Sequence, residues 1–208
     1  MFVKGPILEI PLAISQTYFL LAASIACYLF GAYTLSSSVV SVFGVCFSFA
    51  LIFVVIATDN PWVLFAFAFA TGVSHNPFFE YMNVVDPTIV QEALAATCIL
   101  FFGLTWLAFT SSSYNSFVFC GLLYACLSNL IFMIFLNIFF QNTLLELFIM
   151  YCTIMLFTAF VIVDTHALIK DRARMPTQYA LRLFLDFVNL FINMVKLLKH
   201  LKNIQKKN

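Results

Sequence analysis

The chain has 208 residues, of which 63% are hydrophobic and only 9% are charged, and its formal net charge is +1. A soluble domain carries roughly 25% charged residues, so this composition excludes a water-facing surface and indicates a lipid environment. No Lys or Arg occurs between Lys4 and Lys170, which excludes a nucleic-acid-binding patch. One membrane helix needs about 20 apolar residues, so six or seven such helices use the whole chain as one membrane domain.

Seven apolar stretches follow one another, separated by short polar segments. They are too long and uninterrupted for β-strands, so the sequence predicts an all-α polytopic membrane protein. Six transmembrane helices are expected to precede a seventh, C-terminal helix, which is either re-entrant or spanning. The predicted spans are residues 12–35, 39–57, 62–82, 87–109, 117–140, 144–169 and 177–198, and residues 199–208 form a basic cytoplasmic tail.

Short polar segments also mark the predicted helix ends. Either Asp59 or Asn60 is expected to cap the third helix, with Pro61 in its first turn, and Pro87 marks a similar start for the fourth. Pro77 is predicted to kink or break the third helix because it lacks an N–H group. The N-terminal residues lack the pattern of a signal peptide, so the first span is expected to direct membrane insertion.

Basic residues bear on the orientation of the last helix. Basic loops stay cytoplasmic, and both residues 170–174 and the tail are basic, although they flank opposite ends of that helix. A re-entrant last helix with both termini in the cytoplasm explains both segments. Seven full spans, with the last helix wrapped inside the bundle, are the alternative.

The cysteines and histidines suggest no enzyme or metal centre. The cysteines form no CxxC pair and lie in apolar runs, so they are predicted to be small membrane hydrophobes, not disulfides or ligands. His75 and His166 lack metal-ligand spacing and are interpreted as polar helix-end residues. No nucleophile–base pair occurs, so no enzymatic activity is predicted. The six cysteines are Cys27, Cys46, Cys98, Cys120, Cys126 and Cys152.

The last helix carries a polar stripe whose members are spaced by three or four residues. At about 100° per residue, they fall within roughly 80° of one another. A charged group facing lipid costs about 2.5–3.5 kcal/mol, so the stripe is expected to face the bundle interior or a water-filled cavity. A helix lying flat on the membrane is the alternative. The stripe consists of Arg182, Asp186, Asn189, Asn193, Lys196 and His200.

Asp164 is a second intramembrane charge, located near the end of the sixth predicted span. A carboxylate among apolar neighbours needs a partner from elsewhere, and Asp186 is the candidate because a short loop folds the last helix back. Two carboxylates sharing a dry site cannot both ionise easily and titrate jointly. Such a pair could contact Ca²⁺ or hold a pore shut through a shared proton. Asp164 could instead snorkel to the interface or cap a neighbouring helix.

Other polar residues give weaker signals. Glu80 follows the break at Pro77, and Glu80 and His75 are additional candidates for the site. Glu92 lies in the first two turns of the fourth span, where a negative charge suits the helix dipole, so a structural role is expected. Arg182 and Asp186 can form an i,i+4 ion pair.

The segments FVIVDTHALI and LRLFLDFVNLFINMVKLL resemble the signature of the Bax inhibitor family, and within it the Bax inhibitor-1 branch. Residues 67–90 are also similar to the region between the third and fourth helices of that branch, including TGV, Pro-x-x-Glu and an Asp-Pro turn. The resemblance covers nearly the whole chain. One departure is Arg182, which stands where the branch often has a further Asp before LFLDF.

The resemblance implies a seven-helix fold with the last helix at the centre and a paired-aspartate pH sensor at Asp164 and Asp186. It implies a pH-dependent Ca²⁺ leak, residence in the endoplasmic reticulum (ER), and suppression of apoptosis and ER-stress signalling. Bcl-2-type regulators or ER stress sensors would be its partners, besides the lipid bilayer. No cofactor is implied, and Ca²⁺ and H⁺ would be the permeant or regulatory ions.

Two other functions use the same features. A proton-coupled secondary transporter would use the intramembrane carboxylates, although the inverted repeats typical of such proteins are not evident in the sequence. A non-conducting scaffold would bind cell-death regulators through its helices and basic tail. Neutralising both aspartates would leave the scaffold's function intact, and this distinguishes it from the other two.

Overall fold

The computed structural model describes residues 6–34, 38–110, 116–170 and 175–205. All regular structure in these ranges is α-helical, and each helix overlaps one predicted span. The predicted breaks at 36–38, 110–116 and 170–174 lie wholly or partly outside the described residues. The helices are α1 Pro6–Thr34, α2 Ser38–Thr58, α3 Pro61–Val85, α4 Ile89–Thr110, α5 Ser116–Phe140, α6 Thr143–Lys170 and α7 Pro176–Gln205.

Five of the described helices are long and apolar enough to cross a membrane. Large apolar side chains such as Phe43 and Ile99 are exposed along them, as expected for a lipid-facing surface. The helix α3 is less apolar because it contains the segment His75-Asn76-Pro77, and α7 carries the polar stripe. The prediction of an all-α polytopic membrane protein is confirmed. The five segments are Leu12–Thr34, Val40–Thr58, Ile89–Thr110, Phe119–Phe140 and Thr143–Lys170.

Two tight turns between helices have the same backbone conformation and the same capping residue type. Asp59 ends α2 with φ 48°, and Gln141 ends α5 with φ 46°, so both adopt the left-handed conformation. The next residue is an Asn that caps the following helix: the Asn60 Oδ1 atom accepts a hydrogen bond from the Trp62 N–H at 2.9 Å. Asn142 caps α6 in the same way. Of the two predicted caps of α3, Asn60 is therefore the one used.

The chain divides into two compact units, which are described separately. Unit 1 contains Met1–Pro87 and Ala167–Phe184, and unit 2 contains Thr88–His166 and Leu185–Asn208. In unit 1, α3 packs against α1 and α2, and it continues through Pro77 to Val85, so the predicted break does not occur.

Close approach of α1 and α3 in unit 1 depends on glycine. A Cβ atom on Gly72 would collide with the carbonyl oxygen of Tyr28, and one on Gly31 would collide with the carbonyl oxygen of Phe69. These backbones therefore pack against each other directly, as small residues allow in membrane helices. The buried ring of Tyr28 then makes an edge contact with Phe184 of α7, with centroids 6.0 Å apart.

In unit 2, α5 and α6 share an apolar cluster that includes the buried residues Leu130 and Phe160. A second aromatic contact joins α4 to α7, with the rings of Phe101 and Phe187 5.7 Å apart. Edge-to-face pairs of this kind stabilise helix packing beyond simple area burial.

The last helix, α7, is one uninterrupted helix of 30 residues, which corresponds to a length of about 45 Å. It continues to Gln205, whereas the sequence predicted its end at residue 198. Leu183, Leu190 and Val195 on α7 are fully buried. The alternative of a helix lying flat with its stripe in water does not fit, because the stripe residue Asp186 is buried as well.

Candidate functional site

Asp164 is buried near the C-terminal end of α6, with only 8% of the residue exposed. Val161 and Leu168, on the adjacent turns, are fully buried. Burial to this extent does not fit the alternative in which Asp164 snorkels to the interface, whereas capping of a neighbouring helix stays an alternative. An ionised carboxylate in such a place needs compensating polar groups, so its burial marks a functional candidate.

Asp186 lies in the middle of α7 and is 4% exposed, and its Oδ2 atom is buried. Phe187 beside it is buried, as are Leu183 and Leu190 one turn away on either side. Asp164 and Asp186 belong to the same compact unit, unit 2. Both predicted acids are therefore buried, and the direct approach of their carboxyl groups stays a prediction.

The other residues of the polar stripe differ in how far they are exposed. Asn193 is buried, and its Nδ2 atom donates to the Asn189 carbonyl oxygen at 2.8 Å, while Asn189 donates to Leu185 in the same way. These amides therefore bond to the backbone of their own helix. Lys196 is exposed and His200 is half-buried.

Arg182 is exposed at the N-terminal side of the stripe. Its guanidinium carbon lies 5.6 Å from the centre of the Tyr179 ring, a cation–π distance. Because the helix turns by about 100° per residue, Arg182 is one turn from Asp186 but lies in a different environment. The ion pair between these two residues stays a prediction.

Glu80 and His75, the weaker candidates, both lie on α3 in unit 1. Glu80 is exposed. His75 is inside α3, so its interpretation as a helix-end residue is wrong. Its Nδ1 atom is 2.9 Å from the Thr71 carbonyl oxygen, and its ring meets the edge of Tyr28.

Thr165, next to Asp164, is fully buried, and its hydroxyl oxygen has no hydrogen-bond partner in the described part of the chain. Other buried helical threonines, such as Thr97 and Thr153, donate to the carbonyl oxygen four residues earlier. The Thr165 hydroxyl, which lies beside the acid, thus differs from those of Thr97 and Thr153 and resembles that of Thr105, whose buried oxygen also has no partner in the described residues. Nothing in the sequence distinguishes Thr165, since threonine in an apolar helix is common.

Lys202 near the end of α7 contacts two residues at the start of α4. Its Nζ atom lies 2.9 Å from the Glu92 Oε2 atom and 2.8 Å from the Thr88 hydroxyl oxygen. The structural role expected for Glu92 thus includes an ion pair within unit 2. This contact was not predictable from the sequence, because the residues are far apart in the chain and nothing in their spacing indicates it.

Metal ligands are not concentrated anywhere in the described ranges: no group of three or more His, Cys, Asp or Glu side chains is placed to hold an ion. The six cysteines, all described, are free thiols.

These features define a polytopic helical membrane protein with two carboxylates buried among its apolar helices. Residues 11–203 match the sequence profile of the family described as "Inhibitor of apoptosis-promoting Bax1". The chain therefore belongs to the Bax inhibitor family, as the Asp164 and Asp186 motifs indicated.

Individual relatives cover the chain to different extents. It is 29% identical to the uncharacterized protein Cj0236c of Campylobacter jejuni, over 92% of this chain and 89% of that protein. It is 29% identical to human Bax inhibitor 1, over 65% of this chain and 59% of that protein. It is 35% identical to the Golgi anti-apoptotic protein of vaccinia virus, over 55% of this chain and 48% of that protein. The chain spans about half of the length of the last two.

Proposed function

We propose that this protein is a multi-pass ER membrane protein that suppresses apoptosis and ER-stress signalling and provides a pH-sensitive calcium leak. Asp164 and Asp186 form its gate. The protein acts without catalysing a reaction, and its partners are Bcl-2-type cell-death regulators or ER stress sensors. Its C-terminal tail faces the cytoplasm because of its excess of Lys.

One observation supports the proposed gate: two carboxylates on consecutive helices are buried in one compact unit of a membrane protein. Buried acids in apolar helices are costly and mark ion or proton pathways. The membership of the Bax inhibitor family and the names of the human and viral relatives support the role in cell survival.

A pair of carboxylates is better suited to a calcium leak than to tight, lasting binding of Ca²⁺. Ca²⁺ takes six to eight oxygen ligands, of which two carboxylates supply a minority. Conduction requires binding that is favourable enough for entry but weak enough for release. A proton shared between Asp164 and Asp186 neutralises the pair, so that cation passage depends on pH.

The test is Ca²⁺ flux into proteoliposomes across a range of pH. We expect Asp164→Asn and Asp186→Asn each to shift or abolish the pH dependence seen with the wild type. Glu146→Gln is the matched control, because it neutralises an exposed carboxylate on the same helix as Asp164, and it should behave as wild type.

The other possible outcomes contradict the gate or favour a different function. Flux that is unchanged in both Asn variants contradicts the gate. Absence of flux in every protein favours the non-conducting scaffold. Flux driven by a proton gradient and blocked in the Asn variants favours the proton-coupled transporter.

Cell survival is measured separately. Expression of the wild type should reduce the death of cells that are challenged with Bax, and the two Asn variants show whether the acids are needed. A fluorescent fusion shows whether the protein resides in the ER. The calcium leak and the survival role are assayed independently.

A further inference from the structure

The helix α7 lacks a capping side chain of its own. Met175 is the residue before its first turn, and its carbonyl oxygen accepts from the N–H groups of Gln178 and Tyr179 at 3.1 and 3.3 Å. The methionine side chain offers no capping oxygen to the N–H groups of the first turn. A Ser, Thr, Asp or Asn side chain at this position would accept a hydrogen bond from one of them.

Asp59, in the turn between α2 and α3, supplies the side-chain acceptor that Met175 lacks. Its Oδ1 atom lies 3.2 Å from the backbone N of Gln178, which is the N–H group that an ordinary capping residue would bind. The hydroxyl of buried Thr177 also donates to the Asp59 carbonyl oxygen at 3.1 Å. A negative charge at this place further suits the dipole of α7.

The contact is reciprocal. The Gln178 Nε2 atom donates to the Ile56 carbonyl oxygen at 3.1 Å, and Ile56 lies in the last turn of α2, where carbonyl groups lack partners within the helix. Asp59 thus caps the start of α7, while Gln178 caps the end of α2. All of these residues belong to unit 1.

The backbone of Asp59 is suited to this task. Its φ of 48° ends α2 and leaves Asn60 free to cap α3. Asp and Asn tolerate the left-handed region better than most residues because their short side chains bond locally.

We propose that Asp59 and Gln178 form a reciprocal capping pair between α2 and α7 and that Asp59 is a positioning residue for α7. The pair fixes the axial position and rotation of the first turn of α7. Asp186 lies about two turns further along the same helix, and calcium flux tests whether the cap affects it. The effect on calcium flux rests on the proposed function, whereas the cap itself does not.

The test is hydrogen–deuterium exchange of the full-length protein in nanodiscs, measured on peptides that cover residues 176–182. Asp59→Gly removes the acceptor but tolerates the left-handed backbone, and it should speed exchange there by about tenfold. Asp59→Asn keeps both the acceptor and the backbone preference and loses only the charge, so its exchange should stay much closer to the wild-type rate than that of Asp59→Gly. Gln141→Gly is the matched control, since Gln141 has the same backbone conformation in a turn of the same design, and it should leave α7 unchanged.

A capping side chain placed on α7 itself distinguishes loss of the cap from overall destabilisation of the protein. In the Asp59→Gly background, Met175→Asp places an acceptor at the ordinary capping position and should return exchange of the first turn to the wild-type rate. Wild-type exchange in Asp59→Gly, or no rescue by Met175→Asp, overturns the proposal.

Calcium flux of the same variants shows whether the position of α7 matters to the gate. We expect altered flux in Asp59→Gly and wild-type flux in Asp59→Asn. If the wild type conducts nothing, the proposed function fails, and the exchange measurement still decides the capping pair. Equal flux in wild type and Asp59→Gly, with faster exchange, overturns the positioning role.

Discussion

The Nζ atom of Lys202 in α7 lies 2.9 Å from the Oε2 atom and 3.0 Å from the Oε1 atom of Glu92 in α4. Their side chains are 26% and 47% exposed, so water and headgroups screen the pair. A double-mutant cycle of Lys202→Met and Glu92→Gln should give a coupling of about 0.5 kcal/mol, smaller at high salt. Unfolding in mixed micelles measures this quantity.

Glu146→Gln is the control for that cycle, because Glu146 is an acid in the first turn of α6 as Glu92 is in the first turn of α4. Its loss of stability measures the helix-dipole contribution alone. A coupling of zero between Lys202 and Glu92 would show that the ion pair adds nothing to the contact.

The glycines of unit 1 provide a second prediction. Gly72→Ala should lower the free energy of unfolding by about 1–3 kcal/mol, because the new Cβ atom would meet the Tyr28 carbonyl oxygen and force α1 and α3 apart. Gly103→Ala in α4 is the control, since a Cβ atom there meets nothing within 4 Å. It should be neutral or stabilise the helix by up to about 1 kcal/mol. Equal effects of the two substitutions would contradict the close approach of the backbones.

Thr165→Val tests whether the place beside Asp164 is dry. If the Thr165 hydroxyl is surrounded by apolar groups, replacing it with a methyl group of similar shape should be neutral or stabilising by about 1 kcal/mol. Thr153→Val is the comparison, because that buried hydroxyl donates to the Ile149 carbonyl oxygen at 2.7 Å, and its loss should cost more. A clear loss of stability in Thr165→Val would instead indicate a bound water.

The orientation of α7 is tested with a protease-sensitive tag after the last residue. Protease added to sealed membrane vesicles whose cytoplasmic face is outermost should remove the tag, because the Lys-rich tail is expected to face the cytoplasm. A protected tag would place the tail in the lumen. The length of α7, about 45 Å, is enough to cross the hydrocarbon core of about 30 Å.

The helices could be predicted from the sequence because each lipid-spanning run must satisfy its backbone internally. The sixth span, predicted at residues 144–169, is observed as Thr143–Lys170. Errors occur at helix ends: α1 begins at Pro6, before the predicted start at residue 12, and α7 continues through its polar tail to Gln205. The helix α3 continues through Pro77 because loss of one backbone bond does not outweigh its packing on α1 and α2.

The candidate site was predictable to the extent that it depends on single residues. The cost of a charge in lipid indicated that Asp164 and Asp186 are buried, and they are. Contacts between distant segments were not predictable, since no local pattern connects Asp59 with Gln178 or Glu92 with Lys202. In both cases an apparently ordinary turn or tail residue bonds to a helix end more than a hundred positions away.

The two-residue turn Asp59-Asn60 has a consequence for how this chain tolerates changes of length. Loops between helices generally accept inserted residues. Here an extra residue would displace the end of α2, the start of α3 and the Asp59 carboxylate that caps α7. The Gln141-Asn142 turn has the same length and conformation but serves only α5 and α6 in the contacts described. Insertions should therefore be accepted at the second turn and rejected at the first.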